Sequence, residues 1–205
     1  MHKTRLEAFS DGVFAIILTI MVLEIKVPHG ATLAALRPVL PVFLSYLLSF
    51  VFIGIYWNNH HHLLTGVRQI NGAVMWANLH LLFWLSLVPV ATGWMGENHF
   101  APATLALYGG LLLLAALAFT ILQNRLIALN GRGSLLAQAV GGDWKAKISP
   151  LLYCVGIATS LFSPWVSGAC YVLVALLWLA PDPRIERALA GQPASPATSH
   201  PDATL

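Results

Sequence analysis

The chain has 205 residues, of which 58% are hydrophobic and only 9% charged, with a formal net charge of +3. At a mean hydropathy of +0.73 there are too few polar residues to clothe a water-soluble globule of this size. The positives are few and scattered, which excludes a nucleic-acid-binding surface. Cys154 and Cys170 both lie in apolar runs, which excludes a disulfide framework or a cysteine metal site.

A membrane helix needs about 20 apolar residues to cross a hydrocarbon core about 30 Å thick. That length predicts an all-α polytopic protein with six transmembrane helices, over about 6–27, 36–63, 70–95, 102–123, 149–163 and 165–181. Together these form a membrane domain spanning 1–181. The first run follows His2, Lys3 and Arg5, as a signal peptide would, but Asp11 interrupts it, it continues to about Val27, and no small-x-small cleavage site follows. It is therefore expected to be a retained span.

Asp11 is an ionisable group inside a span and needs a partner or water. At 100° per residue, Phe9, Gly12, Ile16, Ile20, Leu23 and Val27 form one stripe, with Ser10 and Asp11 beside it. Such a stripe either packs on neighbouring helices and lipid, or lines a symmetry axis as rings of branched side chains that constrict a pore and gate it by dewetting. In the second arrangement Asp11 and Ser10 point away from the axis and bind adjacent helices. Thr19, about 60° off the stripe, either adds a hydroxyl to the pore wall or back-bonds to its own helix, the commoner use.

The second span ends in Trp57, Asn58, Asn59, His60, His61 and His62. Consecutive helical residues point about 100° apart, so one chain cannot aim three adjacent histidines at one ion, and no metal or other cofactor is expected. Asn78 and His80 of the third span are candidates to pair with Ser10 or Asp11. Pro89 and Pro164 predict kinks or helix ends. Gly109 and Gly110 permit close helix approach in the fourth span. Glu24 either attracts cations at an outer vestibule or is a solvated carboxylate. The last two spans are short for full crossings, which leaves one long broken helix as an alternative.

Residues 124–148 form a basic, glycine-containing connector, and 182–205, rich in Ala, Pro, Ser and Thr, a disordered tail. Six spans place Lys3, Arg5, Arg68, Arg125, Arg132, Lys145, Lys147, Arg184 and Arg187 on one side, with only Lys26 and Arg37 on the other. The positive-inside rule then puts both termini of a cell-membrane protein in the cytoplasm, and a five-span topology scatters the positives. Trp57, Trp76, Trp94, Trp144 and Trp165 fall near span ends, as interfacial anchors do.

The run Arg5-Leu6-Glu7-Ala8-Phe9-Ser10-Asp11-Gly12 opening the first span, with Thr19, Leu23 and Glu24 after it, resembles the signature of the bacterial relatives of the lysosomal potassium channel TMEM175. Trp57, His60 and His61 ending span two, and Asn78 in span three, extend the likeness over the whole chain except its tail. The resemblance implies a homotetramer of six-helix subunits in the bilayer, with the first helix of each lining a central pore for potassium ions. It makes Ile16 the principal constriction, with Ile20 and Leu23 as further rings. Arg5, Phe9, Ser10 and Asp11 become a structural group contacting Trp57, His60, His61 and Asn78, with the contacting imidazole unassigned. The expected function is a potassium-permeable, weakly selective cation channel; no Thr-Val-Gly-Tyr-Gly filter is present. Two other classes compete with it. One is a proton channel or proton-coupled transporter using Asp11 and the histidines, and the other is a membrane enzyme, for which no nucleophile, base and metal set is recognisable.

Overall fold

A computed structural model describes residues 2–67, 69–131, 137 and 144–179, and within them every regular element is helical. The helices are α1 (Lys3–Leu23), α2 (Leu40–Thr65), α3 (Gly72–Ser86), α4 (Val88–Glu97), α5 (Pro102–Asn130), α6 (Trp144–Ser160) and α7 (Pro164–Leu179). A 3-10 segment, Leu33–Val39, leads into α2. Arg68, Arg184, Arg187, residues 132–136 and 138–143 of the connector (with Arg132 among them) and the whole tail lie outside the described residues.

The stretches Lys3–Leu23, Leu33–Thr65, Gly72–Glu97 and Pro102–Asn130 are long and apolar enough to cross a bilayer. Helix α7 is apolar but shorter. At 1.5 Å per residue, α6 and α7 reach about 25 Å. With α3 and α4 as halves of one crossing, the chain is a multi-pass membrane protein of six helical segments. Large apolar side chains such as Phe43, Phe50, Leu107, Leu117, Val172 and Leu176 are exposed along the outer faces. That surface suits hydrocarbon and not water.

Local chemistry sets the boundaries. Asn71 caps α3 by accepting from the Val74 N–H at 3.0 Å. Pro41 and Pro102 sit in the first turns of α2 and α5, where a missing N–H costs nothing. Pro89 prevents an unbroken third crossing, so α3 ends at Ser86 and α4 restarts at Val88. Helix α5 continues to Asn130, past the expected end at 123, because Leu122 and Leu126 prolong its buried face. Helix α6 begins at Trp144, five residues before the expected 149.

The last two helices are an antiparallel pair and not one broken helix. Near the end of α7, Trp178 Nε1 donates to Ser149 Oγ near the start of α6 at 2.9 Å. Higher in the pair, the Tyr171 ring lies between Gly109 and Gly156. A Cβ at Gly109 would stand 2.0 Å from the Tyr171 hydroxyl, and one at Gly156 2.5 Å from the ring. The Tyr171 hydroxyl donates to the Leu105 carbonyl at 3.0 Å. Gly110 has nothing within 4 Å of that position, so of the two neighbouring glycines only Gly109 serves packing.

Candidate functional site: the first helix and its two polar clusters

Helix α1 presents two unlike faces. Leu6, Ser10, Phe14, Ile17 and Met21 recur at helical spacing and are buried against the rest of the chain. Phe9, Gly12, Ile16, Ile20 and Leu23 lie on another face and are exposed, Ile16 at 58% and Leu23 at 79%; Val27, expected to continue this stripe, is exposed but lies beyond the end of α1. The stripe expected from the sequence is thus the face of α1 that its own chain leaves uncovered. Thr19 is exposed near it, and its hydroxyl donates to the Ala15 carbonyl of the same helix. With no water in the hydrocarbon, that is where an isolated hydroxyl proton goes.

At the N-terminal end of α1, the inner one if the termini are cytoplasmic, Ser10 donates to the Leu6 carbonyl at 2.9 Å. Having one proton, Ser10 Oγ must accept from Asn78 Nδ2, at 2.9 Å. That turns Asn78 Oδ1 towards His60 Nε2, 2.7 Å away, which must therefore carry a proton and donate. All three side chains are buried. The Phe14 ring packs 5.7 Å from the His60 ring, centroid to centroid. Of the three consecutive histidines, His60 is the one tied to the first-helix motif by hydrogen bonds alone, through Asn78.

Beside this buried row runs an exposed one. Trp57 Nε1 donates to Asp11 Oδ1 at 3.0 Å, and the Trp57 ring stacks on His61 at 6.2 Å between centroids. Neighbouring positions on α1 thus reach α3 through Ser10 and α2 through Asp11. Among the rings of the described residues, His62 meets only the edge of His61. His80 accepts from Trp84 Nε1 on its own helix at 2.9 Å and reaches neither Ser10 nor Asp11. Arg5 and Phe9 are exposed, and the Arg5 side chain has no hydrogen bond or ion pair among the described residues. Among those residues no group of three His, Cys, Asp or Glu side chains is placed to hold a metal.

A second polar cluster, absent from the sequence reading, lies higher on α1. Ser49 Oγ is 2.7 Å from Thr92 Oγ1 and 2.9 Å from the Tyr108 hydroxyl, while Thr92 Oγ1 is 2.7 Å from the Val88 carbonyl and 4.0 Å from Met21 Sδ. These residues come from α2, α4, α5 and α1 and are separated by long stretches of chain. Each looks alone like an incidental hydroxyl in an apolar span. The only local hint is that Thr92 follows a helix-breaking Pro89 closely.

Just beyond the C-terminal end of α1, Lys26 pairs with Glu97 at 2.7 Å, and this contact holds the Lys26 ammonium above its usual range. Glu24 lies along α4, its carboxylate 3.6 Å from where a Cβ of Gly93 would be. Glu24, Lys26, His29, Glu97 and His99 line an open concavity of about 760 Å³.

The family model described as endosomal/lysosomal potassium channel TMEM175 matches residues 5–89, which include α1 from Arg5 onward and both rows of the Ser10 and Asp11 contacts. A protein named as a potassium channel from a Chryseobacterium species is 56% identical over 92% of this chain and 98% of its own length. Another, from Chamaesiphon minutus, is 34% identical over 82% of this chain and 90% of its length. The human endosomal/lysosomal proton channel TMEM175 is 37% identical over 44% of this chain and 20% of its own length. The crystal structure of a lysosomal potassium-selective channel TMEM175 homolog from Chamaesiphon minutus superposes with a TM-score of 0.75 at 30% identity. The match covers 86% of this chain and 96% of that one. With more than half its residues shared along nearly the full length of a curated relative, and with this fold, the chain belongs to the TMEM175 family.

Proposed function

We propose that the chain forms a potassium-permeable, weakly selective cation channel of the cell membrane. It assembles as a homotetramer in which α1 of each copy lines a central pore, with both termini in the cytoplasm. One observation carries this assignment: the exposed branched stripe of α1 lies on the helix whose other face is fixed by buried hydrogen bonds. The names of the relatives supply potassium as the ion.

Around a four-fold axis, Ile16, Ile20 and Leu23 make successive apolar rings about one turn apart, or about 5 Å. A cation crossing Ile16 sheds part of its hydration without carbonyl oxygens to replace it. A smaller, more strongly hydrated ion loses more there, which favours potassium over sodium by a modest factor. Thr19, its proton engaged by Ala15, turns a hydroxyl oxygen to the pore wall. Asp11 acts as a support held by Trp57, and the ion passes along the uncharged stripe. The chain is a conduit and not an enzyme.

The test is potassium and sodium flux from liposomes holding the purified protein, followed by bi-ionic reversal potentials for wild type and Ile16→Asn. Passive potassium-preferring flux is expected, with preference falling and conductance rising in the variant. Unchanged selectivity and conductance in Ile16→Asn would remove Ile16 as the constriction.

The proton-channel names of the vertebrate relatives favour a second reading, in which protons pass by Asp11 and His60. On that reading Asp11→Asn abolishes proton flux and its pH dependence. Potassium flux that persists in that variant, with proton flux unchanged, eliminates it.

A further inference from the structure

The cluster of Tyr108, Ser49 and Thr92 has one consistent set of donors. Each hydroxyl donates once, and a carbonyl only accepts. If Thr92 donated to Ser49, then Ser49 would donate to Tyr108, whose proton would have no acceptor among the described residues. The order therefore runs the other way. Tyr108 donates to Ser49, Ser49 to Thr92, and Thr92 to the Val88 carbonyl in the first turn of α4.

This chain of donors ends on the half-helix that follows the Pro89 break. Helix α4 is set closely against two neighbours. A Cβ at Gly96 would stand 2.6 Å from Val42 Cα and 2.5 Å from Ser45 Oγ, so α4 lies backbone-to-backbone on α2. On its other side Thr92 meets Met21 Sδ and Gly93 meets the Glu24 side chain, both on or just beyond the outer half of α1. Met21 is buried, and it adjoins Ile20 and precedes Leu23 by two. Ile16 lies more than a turn lower, between this contact and the Ser10 cluster.

We propose that Tyr108, Ser49 and Thr92 are positioning residues that set the two outer rings, Ile20 and Leu23, through α4 and Met21, separately from the inner cluster that sets Ile16. This rests on α1 lining the pore. Losing a hydroxyl frees α4 to shift on α2, and Met21 carries that shift to the outer rings. Thr92→Val keeps the side chain's shape and removes the hydroxyl.

The experiment measures potassium-to-sodium permeability ratios and conductance in liposomes for Thr92→Val, alone and combined with Leu23→Ala or Ile16→Ala, on protein that keeps its assembly by size-exclusion chromatography. The expected result is a non-additive change of about twofold or more with Leu23→Ala and additivity with Ile16→Ala. Thr92→Ser should restore wild-type permeation. A general loss of stability would not produce that pattern. If Thr92→Val does not fold, Tyr108→Phe, which removes only the first donor, takes its place in both combinations. Wild-type permeation in both variants, or equal coupling to Ile16 and Leu23, overturns the proposal. If Ile16→Ala and Leu23→Ala each leave permeation untouched in the native background, the pore assignment itself fails, and the positioning role with it.

Discussion

Ser10 and Met21 lie on one face of α1, roughly three turns apart, and each meets a polar cluster of a different make. At Ser10 an amide and an imidazole are committed in both directions, so Asn78 has no substitute that satisfies both neighbours. At Met21 the cluster is built from hydroxyls, which rotate to suit their partners, and it touches α1 only through a thioether. The inner support is therefore specific in residue type, while the outer one is specific in geometry. In the proposed channel, a helix held by fixed partners at its base and by adaptable ones above would carry the Ile16 ring between the two.

The largest effect that would sharpen this contrast is at Asn78. Asn78→Leu strands the His60 donor in a buried site, at about 1–3 kcal/mol. A clear fall in melting temperature and loss of assembled protein in detergent are expected, and wild-type melting would show that the inner cluster is not a fixed support. Next is Gly109→Ala, where the added methyl meets the trapped Tyr171 ring and costs about 1–3 kcal/mol. Gly110→Ala, with open space at the same height, should melt within about 0.5 kcal/mol of wild type. Equal effects of the two would contradict the close packing of α5 on α7.

Tyr108→Phe should cost less, about 1 kcal/mol, because Ser49 and Thr92 keep acceptors for their own protons. A loss as large as that of Asn78→Leu would erase the distinction between the two clusters. The smallest effect belongs to the exposed pair of Lys26 and Glu97. With the lysine raised above its usual range, its contribution is complete below the unfolded lysine value and is lost only as pH climbs through the raised folded value. Melting should therefore not change between about pH 6 and about pH 9 on account of Lys26.

Much of α1 was legible because a helix converts sequence spacing directly into direction. The exposed stripe from Phe9 to Leu23 and the buried row from Leu6 to Met21 follow from 100° per residue and need no knowledge of partners, whereas Val27 falls past the end of the helix. The end of α5 lies beyond the expected one for a related reason. Arg125 marks a composition change, but Leu122 and Leu126 continue the buried spacing past it. The break at Pro89 was readable, since proline carries its own stereochemistry.

Hydropathy and periodicity are local properties, and they suffice to set the membrane as solvent, the helical segments and the phase of α1. Which residues meet depends on the packing of the helices. It selected His60 from three adjacent histidines by placing Asn78 opposite it, and Gly109 over Gly110 by placing Tyr171 there. It also joined Ser49, Thr92 and Tyr108 from three distant helices into one cluster. The physical reason is that a lone hydroxyl in a membrane span is satisfied by its own helix or by a neighbour's, and the choice depends on which helices pack side by side.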